Sequence, residues 1–255
     1  MRSANSGTVS KIREITYEDL ERFWKEFAPA ARSLASLQEV AQAFAEALFA
    51  RFKESIVLTR VFATVTLDLL PPRDRAFAQR FAAEHGVTEP LSEATSVLSL
   101  LGTCGEEPRW NDRANSADHL AIPLVSEAFV GAIPMISRLL GEIGFEPLWE
   151  STANAEFVTK ALANVNGIFY VTDARTTVDE RDRKIIPAQD FVNGHAIRTV
   201  FGFGGSYLSQ AMFITVIVFS RETILRMEAM KFVPLISSLK AGTTRLIKRG
   251  EIFPS

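Results

Sequence analysis

The sequence has a single cysteine, Cys104, and only three histidines, His85, His119 and His195. One cysteine cannot form an intramolecular disulfide or supply the several thiolates of a zinc or iron–sulfur site. No histidine has another one three or four residues away, so a preformed metal site is not expected. Such sparse use of cysteine is typical of a reducing compartment, and we predict a cytoplasmic location.

The chain also lacks an excess of charge of one sign and a long hydrophobic run. Its 28 Lys and Arg residues nearly balance 30 Asp and Glu residues, which leaves a net charge of −2 and no positive field for phosphate backbones. The most apolar segment, 212–219, is far shorter than the roughly 20 residues that cross a bilayer as a helix. Residues 1–11 contain no apolar stretch like that of a signal peptide. We therefore expect neither nucleic acid nor a membrane as a partner.

The composition is that of an ordinary folded protein. Apolar residues make up 47% and charged residues 23% of the 255 residues, and there is no internal repeat and no linker rich in Pro, Gly and Ser. A single domain is the simplest organisation for this length. We predict an N-terminal extension with a first helix over 1–33, the main domain over 34–247, and a tail over 248–255.

Helical patterns occur near both ends of the chain and between the predicted strands. The first begins at Thr16, an N-cap residue with Asp19 three residues on, which approximates a capping box. Gly86 is placed to end a central helix, and Pro134 should kink or restart a later one. The same reasoning predicts a bend at Pro234. The predicted helices are 17–27, 34–53, 73–84, 126–143 and 221–247.

Five segments rich in Val, Ile, Thr and Phe read as strands. The last three follow one another closely, which favours antiparallel pairing, since a parallel pair needs a long crossover. Gly202, Gly204 and Gly205 are predicted to form the turn between the final two strands and to supply its positive φ angles. The fold class is therefore α+β, an antiparallel sheet flanked by helices, with helical N- and C-terminal segments. The predicted strands are 56–67, 96–103, 167–172, 197–203 and 210–220.

The polar loop 105–120 holds the densest set of chemically capable side chains in the chain. If it covers one face of the sheet, these groups could ring a small-molecule pocket with an apolar floor. In the alternative interpretation Trp110 packs under the loop, Asp118 caps the next segment, and His119 makes a buried hydrogen bond. Both interpretations stay open. The predicted ligand-binding residues are Trp110, Asn111, Arg113, Ser116 and His119.

The cofactor is unknown from the sequence, with haem as one option. A single histidine can hold haem iron in an apolar pocket, and His119 or His195 could serve. Cys104 has no His or Asp near it in sequence, so no catalytic cysteine is expected. We predict that the protein is not an enzyme and has no catalytic residues and no metal site.

Two segments carry a resemblance to a known family, namely TVFGFGGSYLSQAMFITVIVFSRETI (199–224) and, more loosely, HLAIPLVSEAF (119–129). Together with the order of helices and strands, they resemble GAF-type sensory domains of bacterial signalling proteins, which are PAS-like in architecture. The resemblance covers about 34–247. It implies a six-stranded or similar antiparallel sheet with the terminal helices on one face and any ligand pocket on the other. It also implies association through the terminal helices.

GAF-like domains variously bind cyclic nucleotides, haem, bilins or small metabolites, and the resemblance implies no universal catalytic motif. One branch reduces methionine sulfoxide with several cysteines, and bilin-binding members use a cysteine near a histidine. This chain departs from both patterns, because Cys104 is alone and has no adjacent histidine.

These observations predict a small-molecule-sensing or regulatory signalling module. We expect a homodimer formed through 34–53 and 221–247, a pocket bordered by 110–119, and a signalling partner protein contacted in trans. The alternatives are a protein-interaction scaffold whose pocket is filled by its own side chains and a haem-dependent gas or redox sensor. A cavity of several hundred cubic ångströms favours the first function, and a sheet face filled by Phe and Leu favours the scaffold.

Overall fold

A computed structural model describes residues 11–87, 91–116, 119–144, 166–207 and 212–254. Within these residues, six strands form one sheet, namely β1 (Ile56–Thr66), β2 (Ser96–Gly105), β3 (Ala121–Pro123), β4 (Asn166–Val171), β5 (Thr199–Ser206) and β6 (Phe213–Ser220). The helices are α1 (Tyr17–Ser33), α2 (Leu37–Arg51), α3 (Pro72–Glu84), α4 (Glu127–Gly131), α5 (Pro134–Ile143), α6 (Gln189–Gly194), α7 (Arg226–Met230) and α8 (Val233–Arg249). None of these helices combines the length and apolar character that a membrane span needs.

The sheet is antiparallel throughout, with the strand order β3-β2-β1-β6-β5-β4. The predicted α+β class is confirmed, as is the antiparallel pairing of the last three strands. The sequence prediction missed β3, whose three residues are too few to show alternation. β1 pairs with β2 on one side and with β6 on the other, so the centre of the sheet joins the first strands of the chain to its last strand.

Three helices cover one face of the sheet in two layers. Helices α2 and α8 pack on the strands, and α1 lies across both of them. The apolar sides of α2 and α8 are thereby buried within a single chain, at residues such as Phe44 and Leu239. The homodimer predicted through the terminal helices would have to use their remaining exposed positions, and it stays a prediction.

The chain that follows α8 returns to the start of α2. The backbone carbonyls of Glu251 and Ile252 accept hydrogen bonds from the amides of Leu37 and Gln38, both at 2.9 Å. These are amides of the first helical turn, which have no acceptor inside the helix. Ile252 is 2% exposed. The predicted division into extension, domain and tail remains a prediction, and the part of the tail around Ile252 packs on the core.

The opposite face of the sheet is covered by α4, α5 and the region around α6. Four phenylalanines of the strands themselves, Phe62, Phe169, Phe213 and Phe219, are buried in this second core. Isoleucines and leucines of α5 pack onto it. This is the face on which the sequence resemblance places a ligand pocket, and in the described residues it is occupied by the protein's own side chains.

The glycines near the last two strands do not form a turn, and that prediction was wrong. Gly202, Gly204 and Gly205 lie inside β5 and pair with β6. A Cβ atom at Gly204 would come within 2.8 Å of both the Ile214 carbonyl oxygen and the Phe213 ring. Glycine is needed there because the neighbouring strand and its phenylalanine approach closely.

Two prolines begin helices. Pro134 is in the first turn of α5, so it restarts the chain after α4, which is one of the two predicted outcomes. Pro234 was predicted to bend a single helix over 221–247. It lies instead in the first turn of α8, and that region contains the separate helices α7 and α8. Gly86 has a φ of 86° and directly follows His85, the C-cap residue of α3, as predicted.

The predicted capping box at the start of α1 is present and yields a test. The Asp19 carboxylate accepts hydrogen bonds from the Thr16 hydroxyl at 2.6 Å and the Thr16 amide at 3.0 Å. The Thr16 hydroxyl bond is the main cause of a lowered pKa at Asp19. Asp19→Asn should therefore reduce the free energy of unfolding by about 1 kcal/mol at pH 7. Urea titrations of both proteins measure the difference.

The pH dependence follows from the sign of this shift. A carboxyl with a lowered folded-state pKa contributes stability above its unfolded-state pKa, and loses it as the pH falls through the folded-state pKa. The gap between wild type and Asp19→Asn should accordingly shrink in acid below about pH 4. Glu21→Gln, an exposed change on the same helix, serves as control. A gap that stays constant with pH would contradict the role of the carboxylate.

Candidate functional site

The polar loop after β2 folds into two short 3-10 turns, Pro108–Asn111 and Arg113–Asn115. The Asp112 carboxylate caps the second turn by accepting a hydrogen bond from the Ala114 amide at 2.8 Å. Asp118, which the sequence also placed in this loop, lies outside the described residues. The five predicted ligand-binding residues do not converge on one pocket, because the turns send them in different directions.

Trp110 and Asn111 hold the loop to the body of the protein. The Trp110 ring packs edge-on against Phe191 of α6 at 5.4 Å and against His195 at 4.7 Å between ring centroids. The Asn111 side-chain oxygen accepts a hydrogen bond from the Gly105 amide at 2.8 Å. These contacts correspond to the alternative interpretation of the loop, in which Trp110 packs beneath it.

Arg113 is committed to partners inside the fold. Its guanidinium forms an ion pair with Asp74 of α3, which is 2% exposed, and donates to the Leu100 carbonyl of β2. The ring of Phe253 lies 5.8 Å from the guanidinium carbon. Arg113 thus joins α3, the sheet and the chain that follows α8.

Ser116 and His119 line two cavities beside α3, which we together call the α3 groove. Phe77 and Arg80 belong to both cavities, so the two are adjacent. The first, of about 310 Å³, is lined by Phe77, Arg80, Phe81, Glu84, His85, His119, Ile122 and Ile133. The second, of about 370 Å³, is lined by Arg73, Ala76, Phe77, Arg80, Ser116 and Leu120.

The polar groups of the groove come mainly from α3, and sequence reasoning missed them. Arg73 and Arg80 were predicted only as parts of the helix 73–84, and His85 only as a histidine without a partner for a metal site. The available signal was their spacing, because Arg73 and Arg80 are seven residues apart and fall on the same side of a helix as Phe77. A helix with an apolar stripe bordered by arginines on one side can form a cationic wall.

The aromatic groups of the groove are stacked on one another. The His85 ring lies 4.1 Å from the Phe81 ring, at an angle of 19°, and its Nδ1 is 2.8 Å from the Phe81 carbonyl oxygen. Phe81 in turn lies 6.1 Å from Phe77, at 20°. These rings form a nearly parallel series along the side of α3 that faces the first cavity.

Cys104 and an open depression near Glu106 are weaker candidates for a functional site. Burial raises the pKa of the Cys104 thiol to about 11, so the thiol is protonated near neutral pH. An open depression of about 820 Å³ near Glu106 and Arg221 is lined by charges that pair with each other, among them those two. In the part of the chain that the structure describes, no three metal-ligating side chains come together.

The two histidines proposed as haem ligands have different surroundings. His119 lines the α3 groove. His195 follows α6, where the rings of Trp110 and Phe191 pack at 4.7 and 5.5 Å from its own. An axial ligand needs a ring nitrogen that faces an apolar pocket, and His119 borders one of the two cavities of the groove. Haem binding stays a prediction.

No family model and no curated protein sequence matches the chain. It is similar to the solved GAF domain of an Acinetobacter phosphoenolpyruvate-protein phosphotransferase, with 12% identity, a TM-score of 0.46, and coverage of 94% of this chain and 100% of that one. It is also similar to the phycoerythrobilin-bound GAF domain of a cyanobacterial phytochrome, with 9% identity, a TM-score of 0.47, and coverage of 92% and 98%.

A third similar structure is the chromophore-binding domain of a bacteriophytochrome from R. palustris, with 8% identity and a TM-score of 0.42. The match covers 92% of this chain and 64% of that one. These likenesses concern the fold alone. The described sheet of six antiparallel strands, with the terminal helices on one face, is the arrangement implied by the sequence resemblance, and the structure resembles a GAF-type fold.

Proposed function

We propose that the protein is a regulatory signalling module that binds a small molecule in the α3 groove and does not transform it. The observation that carries the proposal is the groove itself. Its two adjoining cavities, of about 310 and 370 Å³, lie in the size range of small-molecule sites. Their lining joins an aromatic wall to a few polar groups, which is the usual composition of such a site.

A change in α3 has a route to the rest of the fold. Asp74 of α3 is paired with Arg113, which also contacts the Leu100 carbonyl and the Phe253 ring. A ligand that binds more tightly to one position of α3 than to another would shift the population of these contacts. The proposed signalling partner in trans would then detect the chain around Phe253.

The second candidate is a protein-interaction scaffold, and one observation favours it. The sheet face opposite α2 and α8 is filled by Phe62, Phe169, Phe213 and Phe219. A scaffold needs no guest in the groove, whereas the regulatory module does. Occupancy of the α3 groove therefore separates the two functions.

Blocking the groove provides the test. Ala76 lines the second cavity and is exposed on α3, so Ala76→Trp should fill that cavity without disturbing the core. Native mass spectrometry of the freshly purified chain should detect a bound small molecule in the wild type, and Ala76→Trp should reduce its occupancy at least tenfold. Gln79→Trp, an exposed change on the same helix outside both cavities, should leave the occupancy unchanged.

The same samples decide the alternatives. A wild-type chain without any bound molecule, or one whose bound molecule survives Ala76→Trp, would favour the scaffold. An absorbance spectrum tests haem binding, because bound haem gives a Soret band, which should be lost in His119→Ala or in His195→Ala. We also propose the homodimer predicted from the sequence, for which native mass spectrometry should give twice the mass of one chain.

A further inference from the structure

The α3 groove combines two arginines, a buried hydroxyl and a stack of rings. We propose that its ligand is an aromatic oxyanion, a planar ring that carries a phosphate or carboxylate group. This inference rests on the proposed function and specifies the chemistry of the ligand. The charged group lies in the cavity with Arg73 and Ser116, and the ring lies in the cavity with Phe81 and His85.

The charged end is defined by the two arginines of α3. Arg73 donates one hydrogen bond to the Ala114 carbonyl, which uses one of the five N–H donors of a guanidinium. Arg80 lies two helical turns further along the same side of α3, and both side chains line the second cavity. Guanidinium groups bind phosphate and carboxylate through paired, charge-assisted hydrogen bonds.

Ser116 supplies a second, independent indication of a polar ligand. Its hydroxyl oxygen is buried and makes no hydrogen bond to any described residue. It belongs to the wall of the same cavity as the two arginines. A buried hydroxyl without a partner is costly. A rotation of the Ser116 side chain toward the cavity would let the hydroxyl donate to an oxyanion held by Arg73 and Arg80.

Acidic groups do not cancel this positive charge. Glu84 approaches Arg80 at 3.9 Å, and both side chains are about 60% exposed, so the pair contributes little. Asp74, the other acid of α3, is paired with Arg113 and is not part of the lining of either cavity. Among the described residues that line the two cavities, Glu84 is the only acid against two arginines.

The position of the ligand's aromatic ring follows from the way in which the two cavities adjoin. Arg80 and Phe77 line both, and the Arg80 guanidinium lies 5.4 Å from the Phe77 ring centroid. A ligand whose oxyanion contacts Arg80 therefore extends toward Phe81 and His85. Planar rings stack favourably on such aromatic side chains and on guanidinium planes.

Isothermal titration calorimetry on the full chain tests the ligand chemistry with three probes: phenyl phosphate, inorganic phosphate and phenol. Phenyl phosphate should bind at least tenfold more tightly than either fragment. Arg73→Gln, Arg80→Gln and Ser116→Ala should each weaken phenyl phosphate about tenfold and leave phenol unchanged. Arg109→Gln, an exposed arginine of the loop that lines neither cavity, is the control. Benzoate in place of phenyl phosphate distinguishes carboxylate from phosphate.

The outcomes separate this inference from the function on which it rests. Equal affinities for phenol and phenyl phosphate, or arginine variants that bind phenyl phosphate like the wild type, would overturn the oxyanion. Loss of the co-purified molecule in Ala76→Trp would then still support a groove that binds small molecules. Phenyl phosphate binding that is unaffected by Ala76→Trp would place the anion outside the groove and overturn the inference as well.

Discussion

Gly102→Ala should cost about 3 kcal/mol of unfolding free energy, because it forces α2 away from the sheet. A Cβ atom at this position of β2 would lie 2.4 Å from the backbone carbon and oxygen of Ala41 and 2.6 Å from the amide nitrogen of Gln42. All three are backbone atoms, so no side-chain rotation relieves the overlap. Chemical denaturation followed by circular dichroism measures the effect.

The hydrogen bonds of Gln42 explain why a displacement of α2 from the sheet costs free energy. Its side chain accepts a hydrogen bond from the Thr103 amide and donates one to the Thr103 carbonyl, both at 3.0 Å. Gly141→Ala in α5 is the matched control, since nothing lies within 4 Å of the added atom. It should be neutral or stabilise by up to about 1 kcal/mol. If Gly102→Ala were as stable as Gly141→Ala, the close approach of α2 would be refuted.

Breaking the Asp74–Arg113 pair should have an even larger effect. Arg113→Ala leaves the Asp74 carboxylate buried without its cation, and Asp74→Ala leaves the guanidinium beneath the loop without its anion. Either change should lower the free energy of unfolding by about 3–5 kcal/mol. The same denaturation experiment measures both losses, and a double-mutant cycle isolates the interaction between the two side chains.

An exposed ion pair supplies the comparison. Arg75 and Glu93 are 3.1 Å apart with side chains 33% and 65% exposed, so Glu93→Gln should cost about 0–1 kcal/mol. Replacing both buried partners, in Asp74→Leu with Arg113→Met, should recover much of the stability lost in either alanine variant, because no charge is then left alone. Full additivity of the two alanine changes would show that the pair does not act as a unit.

Local signals in the sequence predicted the elements that depend on local physics. Thr16 and Asp19 lie within one helical turn, and the capping box that they form needs no contact from elsewhere. Pro134 and Gly86 act through their own backbone preferences. The helix end at Gly86 was therefore predicted correctly, and the helix start at Pro134 was one of two predicted outcomes. The antiparallel pairing of the last three strands followed from their short connections.

Two errors arose where the same residue type can serve a local or a tertiary purpose. Gly202 and Gly204 were assigned to a turn, yet they are glycines because β6 and the Phe213 ring approach β5 closely. Pro234 can bend a helix or begin one. In the structure α7 and α8 are separate helices, and Pro234 lies in the first turn of α8. A local sequence pattern does not predict which distant segment of the chain will pack against a residue.

The sequence by itself determined an antiparallel sheet with helical flanks, because hydrophobic periodicity and turn chemistry act over a few residues. Only the tertiary structure decided the site. Trp110 and His119 are close in sequence, but Trp110 packs against Phe191 whereas His119 lines a cavity beside α3. Arg80 and Ser116 are 36 positions apart and line one cavity. The physical reason is that a cavity forms where packed elements fail to fill space, and that depends on every element that surrounds it.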